Sequence, residues 1–180
     1  MLKSQDIVVG LQVHLWRGPE PWTYARIGAA LGLSASQVHT GVGNLTSSGL
    51  YWPDARSLRA RAFADFARFG VPHVFPARLG PLSQGIPTAH SALPLRAVLR
   101  SGEDYVWPVR GGAVRGRGVV PLHGCCLRAA RSDSRVHGAL ALLDSFRLGR
   151  PREIRLAVDL FDDLLADPES LEARGLLTAA

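Results

Sequence analysis

Apolar residues recur at helical spacing over the first fifty positions. Ser4 is placed to cap a first helix in which Ile7, Val8, Leu11 and Leu15 share one face, with Gly18-Pro19 ending it. Thr23 is placed to cap a short second helix that turns Tyr24, Ile27 and Leu31 inward. Gly32 supplies the left-handed residue that stops it. Ser34 and Gln37 then form a capping box, S-x-x-Q, in which each side chain satisfies the other residue's backbone N–H. Leu33 and Val38 stand on either side as a hydrophobic staple. The third helix buries Val38, Val42 and Leu45 and closes at Gly49-Leu50. A turn this tight makes two helices cross steeply, which exposes the first turn of the second one.

Only Tyr51-Trp52-Pro53 follows before the pattern turns helical again, so no β-hairpin is expected there. A fourth helix is predicted over about 54–69, burying Leu58, Ala62, Phe66 and Phe69 and displaying Arg56, Arg59 and Arg68. His73-Val74-Phe75-Pro76 and Ile86-Pro87-Thr88-Ala89-His90 read as short β-like runs that offer a later place for a wing, confined to sheet edges by their prolines. Between them, 77–85 reads as a turn-rich loop whose Arg78 and Gln84 are candidates to reach phosphates or a minor groove.

Further on, 95–99 reads as a helical fragment, and 105–109 and 114–122 as strands around a glycine- and arginine-rich turn. Two helices end the pattern. Val136, Leu140, Leu143 and Phe146 stripe the first. Ile154, Leu156, Leu160, Leu164 and Leu165 make a stripe on the second that is broader than one buried face needs. Pro151 suits a helix start, and the tail beyond Pro168 is expected to fray.

The run Tyr24-Ala25-Arg26-Ile27-Gly28-Ala29-Ala30-Leu31-Gly32-Leu33-Ser34-Ala35-Ser36-Gln37-Val38-His39 resembles the helix-turn-helix of winged-helix bacterial transcriptional regulators, broadly of the MarR kind. Leu45-Thr46-Ser47-Ser48-Gly49-Leu50 matches the L-x-x-x-G-L close of their recognition helix. The resemblance covers about 4–51 and implies a DNA-binding head. Two features depart from it. The outward positions of the third helix carry no Arg or Lys, and Gly41 and Gly43 each weaken that helix by about 1 kcal/mol relative to Ala.

Charge adds to this picture. The 180 residues carry a net +6, and twenty of the twenty-one basic groups are arginine. Residues 1–90 are +4, 91–150 are +6 and 151–180 are −4. A basic body with an acidic tail suits an anionic partner, nucleic acid before a membrane surface. Hydrophobic residues make up 47%, enough for a real core. No segment reaches the roughly 18 apolar residues of a membrane span. Gln5, Asp6, Gln12 and His14 interrupt any signal-peptide core, so the cytoplasm is the expected compartment.

Catalytic signals are weak. His123-Gly124-Cys125-Cys126 lacks the C-x₂₋₄-C spacing of a metal site, and the adjacent thiols read as ordinary ones, buried or half-exposed. The six histidines are scattered. The Gly111-Gly112 turn, with Arg115 and Arg117, lacks the G-K-[ST] of a phosphate-binding loop. Asp159, Asp162 and Asp163 read as a solvated helix face.

The sequence therefore predicts a mixed α/β, mainly α protein. A helix-turn-helix domain is expected over 1–90, and a strand-plus-helical-hairpin unit for dimerisation or partner binding over 91–180. The expected function is sequence-specific binding of double-stranded DNA in transcriptional regulation, as a homodimer, with no enzymatic activity, cofactor or metal. Ser36, Gln37, Thr40 and Asn44 are the candidate base readers, since Asn and Gln bond adenine edges and Thr meets the thymine methyl. Arg26, Arg56, Arg59 and Arg78 are the candidate phosphate holders. Three alternatives stand beside this reading: an antitoxin-type autorepressor that binds a toxin, an interaction module that no longer binds DNA, and an enzyme that uses Cys125 or Cys126.

Overall fold

In the computed structural model, which describes residues 1–100, 102–167 and 169–177, helix α1 (Ser4–His14) lies at the centre of the N-terminal half. Its cap is Lys3 rather than Ser4, and the backbone N–H of Lys3 donates to Asp6 Oδ2 at 2.8 Å. The helix stops at His14, short of Gly18-Pro19. It buries Asp6 through Val13 continuously, not along one face. Ile7, Val8, Val9, Leu11 and Val13 cover its whole circumference, and such a helix belongs inside. Helices α2 (Tyr24–Leu31) and α3 (Ala35–Ser47) pack on it, as does α8 (Ser134–Leu148) from the other half.

Strands β1 (Tyr51–Trp52) and β2 (Ser57–Leu58) follow α3 directly as an antiparallel hairpin, pairing Tyr51 with Leu58 and Trp52 with Ser57. This overturns the expectation that no hairpin fits there. Pro53 fixes the bend, Arg56 takes a left-handed φ of 51°, and its N–H closes the turn on Pro53 O at 3.1 Å. Leu58 is buried from a strand, and helix α4 (Ala60–Phe69) begins six residues later than expected. Its buried face is Phe63, Ala64 and Ala67. Phe66 is half-buried, and Phe69, expected inside, is 72% exposed. The stripe is displaced because α4 meets α9 (Pro151–Ala166), where Phe63 stacks on Phe161. Arg68, expected on display, pairs with Asp162 of α9.

The predicted β-like run at His73 is a short helix, α5 (Val71–Val74), and the predicted loop over 77–85 is strand β3 (Leu79–Pro87). β3 pairs antiparallel with β4 (Tyr105–Pro108) and with β5 (Val114–Val119). β4 and β5 pair in parallel at Tyr105 and Val106, closing a three-stranded barrel. A barrel this narrow has no room for side chains at its crossings. A Cβ on Gly85 would lie 2.1 Å from Trp107 O, and one on Gly112 would lie 2.4 Å from Gly85 Cα. The glycine-rich run is thus a packing requirement, and it hides the strand periodicity in the sequence.

Ala89–Ser91 forms a 3₁₀ turn where a β-like run was expected, and α6 (Leu95–Val98) matches the predicted fragment. Helix α7 (Cys126–Ser132) packs on α2 and α8. α8 is buried on nearly every side, including the predicted stripe of Val136, Leu140, Leu143 and Phe146. Leu160, Leu164 and Leu165 of α9 are buried within the chain, while Ile154 and Leu156 are half-buried. One hydrophobic cluster runs from Ile7 to Leu177 across both halves. The tail is docked, not frayed: α10 (Ser170–Ala173) buries Leu171, and Leu177 is buried too. Positions 178–180, also expected to fray, lie outside the described residues. The protein is mixed α/β and mainly α, and no helix among the described residues is long and apolar enough to cross a membrane.

Candidate nucleic-acid interface

The geometry from Thr23 to Leu50 follows from its caps. Thr23 accepts the N–H of Arg26 at 3.2 Å and starts α2. Gly32, at φ 70°, ends it, and the N–H of Leu33 returns to Gly28 O at 2.9 Å. Only glycine fits at 28, where a Cβ would meet Leu33 O at 2.5 Å. The capping box closes in both directions: Ser34 N–H donates to Gln37 Oε1 at 2.9 Å, and Gln37 N–H donates to Ser34 Oγ at 3.1 Å. Val38, Val42 and Leu45 are buried, and Leu33 is half-buried against the core.

Ser36, Gln37, His39, Thr40, Gly43 and Ser47 are exposed on α3. Three of the four candidate base readers, Ser36, Gln37 and Thr40, therefore stand together in solvent. Gln37 commits its Oε1 to the cap but keeps its amide N–H groups. Asn44 is different: it is half-buried, and its Nδ2 donates to Asp6 Oδ2 at 2.9 Å. Its amide holds α3 to α1 and is not presented for reading.

The four candidate phosphate holders separate likewise. Arg26 pairs with Glu20 and donates to Pro21 O at 2.9 Å, so its charge is already answered. Arg56 and Arg59 are exposed, but on the hairpin and at its exit rather than on the fourth helix, as was expected. The guanidinium of Arg56 lies 4.4 Å over the Trp22 ring and donates to Trp22 O at 3.0 Å; that of Arg59 lies 5.9 Å from the Trp52 ring. Arg78 is exposed just before β3, on the barrel rather than in a loop between edge strands. Gln84, placed in the same loop, is exposed within β3 opposite Arg115.

Two features have no counterpart in the sequence reading. Arg128 of α7 is exposed and lies against the turn into α3: a Cβ on Gly32 would be 3.0 Å from Arg128 Cδ. Nothing local in the sequence signals this, because it depends on α7 packing against α2. The second is a groove of about 600 Å³ beside α3, walled by Trp22, Tyr24, His39, Tyr51 and Arg56. Trp22 and Tyr24 meet edge to face with centroids 5.5 Å apart, as do Tyr24 and His39 at 5.0 Å. Burial pushes the Tyr51 hydroxyl up to about 12, against the pull of Arg56, so it stays protonated and able to donate. Among the described residues no group of three His, Cys, Asp or Glu side chains is placed to hold a metal ion. No family model, no curated protein and no solved structure matches this chain.

Proposed function

We propose that the chain is a sequence-specific DNA-binding transcriptional regulator of winged helix-turn-helix type, with α3 as its reading helix and the hairpin at residues 51–58 as a short wing. The observation that carries this is the exposed cluster of Ser36, Gln37 and Thr40 at the capped start of α3. Small polar side chains at the first turns of a helix fit the major groove, and Thr and Gln suit A·T pairs. Arg56 on the hairpin, Arg59 at its exit and Arg128 beside the turn supply the phosphate contacts that fix register. A homodimer suits this function, because two-fold sites call for two heads.

The test is a competition assay of the full chain on its own promoter against scrambled duplex, at two salt concentrations. Ser36→Ala with Thr40→Ala should lower the preference for the cognate site by about 1–3 kcal/mol for each well-formed base interaction that the change removes. Non-specific affinity should survive. Equal preference in the wild type and the double variant overturns the reading helix.

A second reading, an interaction module without DNA, is favoured by one observation. The exposed face of α3 carries no Lys or Arg and borders an aromatic groove. Wild-type protein that shows no salt-dependent affinity for any duplex would bring that reading forward.

A further inference from the structure

Cys125 caps α7, and its Sγ lies 3.0 Å from His123 Nδ1. The same nitrogen also accepts the backbone N–H of Cys125 at 3.2 Å, so it is held as the unprotonated nitrogen and its lone pair is shared between that N–H and the thiol. Cys126 follows in the chain with its side chain fully buried. A hydrogen bond from Cys126 and the nearby imidazole bring the Cys125 thiol down to about 7 against the opposing effect of burial. The Cys126 thiol is pushed up by its neighbour and by its own burial. One sulfur is thus prepared as a nucleophile and the other is held back as a thiol. Cys125 keeps 6% of its surface and adjoins the exposed Gly124.

We infer that Cys125 and Cys126 form a hydroperoxide-reactive dithiol, with Cys125 as the attacking sulfur, His123 as its proton acceptor and Cys126 as the resolving thiol. Cys125 passes its proton to His123 Nδ1 and the thiolate attacks the distal peroxide oxygen. An S–O bond forms and the O–O bond breaks. The leaving oxygen takes the proton back from His123 as water or alcohol. Sulfur is oxidised by two electrons and the peroxide is reduced by two. The Cys126 thiol then attacks the sulfenic sulfur, the S–S bond forms, and the hydroxyl departs as water with the Cys126 proton.

Adjacent Cα atoms stand about 3.8 Å apart, below the usual span of a disulfide. Closing the bridge must therefore pull Cys125 out of its helical φ of −66° and ψ of −16° and open the first turn of α7. A bridge strained in this way is easily reduced, so the modification is reversible. It also displaces the helix that carries Arg128 against Gly32. The thiol chemistry itself does not depend on the DNA reading.

The test treats the reduced full chain with hydrogen peroxide and reads intact mass. The expected result is loss of two hydrogens, regained with a dithiol reductant. Cys126→Ser should stop the reaction at a sulfenic acid on Cys125, trapped there by a dione probe. His123→Ala should move the midpoint of Cys125 alkylation against pH upward from about 7 toward the ordinary thiol value of about 8.5. Loss of α7 packing would move that midpoint the same way, so the shift supports the inference only when the variant keeps the wild-type melting temperature. A wild-type chain whose mass is unchanged by peroxide, or a dione trapped on Cys126, overturns the inference. Oxidation that appears only as a bridge between two chains overturns it as well.

Discussion

Trp107 of the small barrel donates its indole N–H to Asp144 of α8 at 2.6 Å, with both side chains buried. Thr88 donates to the same carboxylate oxygen at 2.7 Å, and Arg147 holds the other at 2.5 Å. Burial pushes the Asp144 carboxyl up, and Arg147, Thr88 and Trp107 pull against it. Each donor therefore offsets part of a desolvation cost. Trp107→Phe keeps the ring in its buried place and removes one donor. Stability should fall by about 1–3 kcal/mol in urea denaturation. An unchanged midpoint would mean that Thr88 and Arg147 satisfy the carboxylate alone.

Asn44 and Thr40 sit one turn apart on α3 and should behave oppositely. Asn44→Ala removes the donor to Asp6, whose Oδ1 already has no partner, and should cost about 1–3 kcal/mol. Thr40→Ala changes an exposed residue and should leave the melting temperature within experimental error. Equal melting temperatures for both variants would show that the Asn44 bond contributes nothing.

The contrast between these two residues shows what a sequence can and cannot tell. Caps are local, so Thr23, Gly32, Ser34 and Gln37 mark the positions of α2 and α3 from a few neighbouring residues. Whether a polar residue on a helix faces solvent depends on what packs beside it, and no local signal announces that Asp6 is buried next to Asn44. The hairpin is hidden for a related reason. Leu58, Ala62, Phe66 and Phe69 fit one helical face, but Pro53 and the left-handed Arg56 turn the backbone first, so Leu58 falls in a strand and α4 starts only at Ala60. β3 is hidden because its crossings demand glycine, which carries no hydrophobic pattern. Arg128 reaches the helix-turn-helix only through tertiary packing.

Acid should destabilise the protein through two histidines. Burial lowers the pKa of His14 and of His137, opposed in each case by a bond to a carbonyl, Leu165 O and Pro87 O respectively, both at 2.8 Å. A depressed folded value means that the unfolded chain binds the proton more readily. The stabilisation is complete above about pH 6.5 and is lost as the pH falls toward the folded values. The melting temperature should drop between pH 7 and pH 5. His137→Gln, which keeps an N–H donor, should flatten that dependence even if it lowers stability overall. A variant with the wild-type slope would place the acid sensitivity elsewhere.

The arginines should separate by their existing partners. If DNA is the ligand, Arg56→Ala with Arg59→Ala should reduce the slope of log K against log salt by about 0.9 for each phosphate that the variant no longer neutralises. Arg26→Ala should leave that slope nearly as it was, since Glu20 already neutralises Arg26. Binding measured across a salt series checks both. A double variant with an unaltered slope would make the hairpin arginines partners of Trp22 and Trp52 alone.

The two glycines of α3 look alike in the sequence, yet they should respond differently to the same methyl group. A Cβ on Gly43 would find nothing within 4 Å, so Gly43→Ala gains helix propensity at no steric cost. The gain should approach about 1 kcal/mol. At Gly41 the added carbon would lie 3.1 Å from Asp6 Oδ1 and 3.5 Å from Val9. It would press on the carboxylate that bonds Lys3 N–H and Asn44, so Gly41→Ala should gain less or lose stability. Thermal unfolding of the two variants side by side decides the matter. If Gly41→Ala is the more stable of the pair, α1 and α3 are packed less closely at Asp6 than their side chains indicate. The placement of Asn44 in that contact would then fail with it.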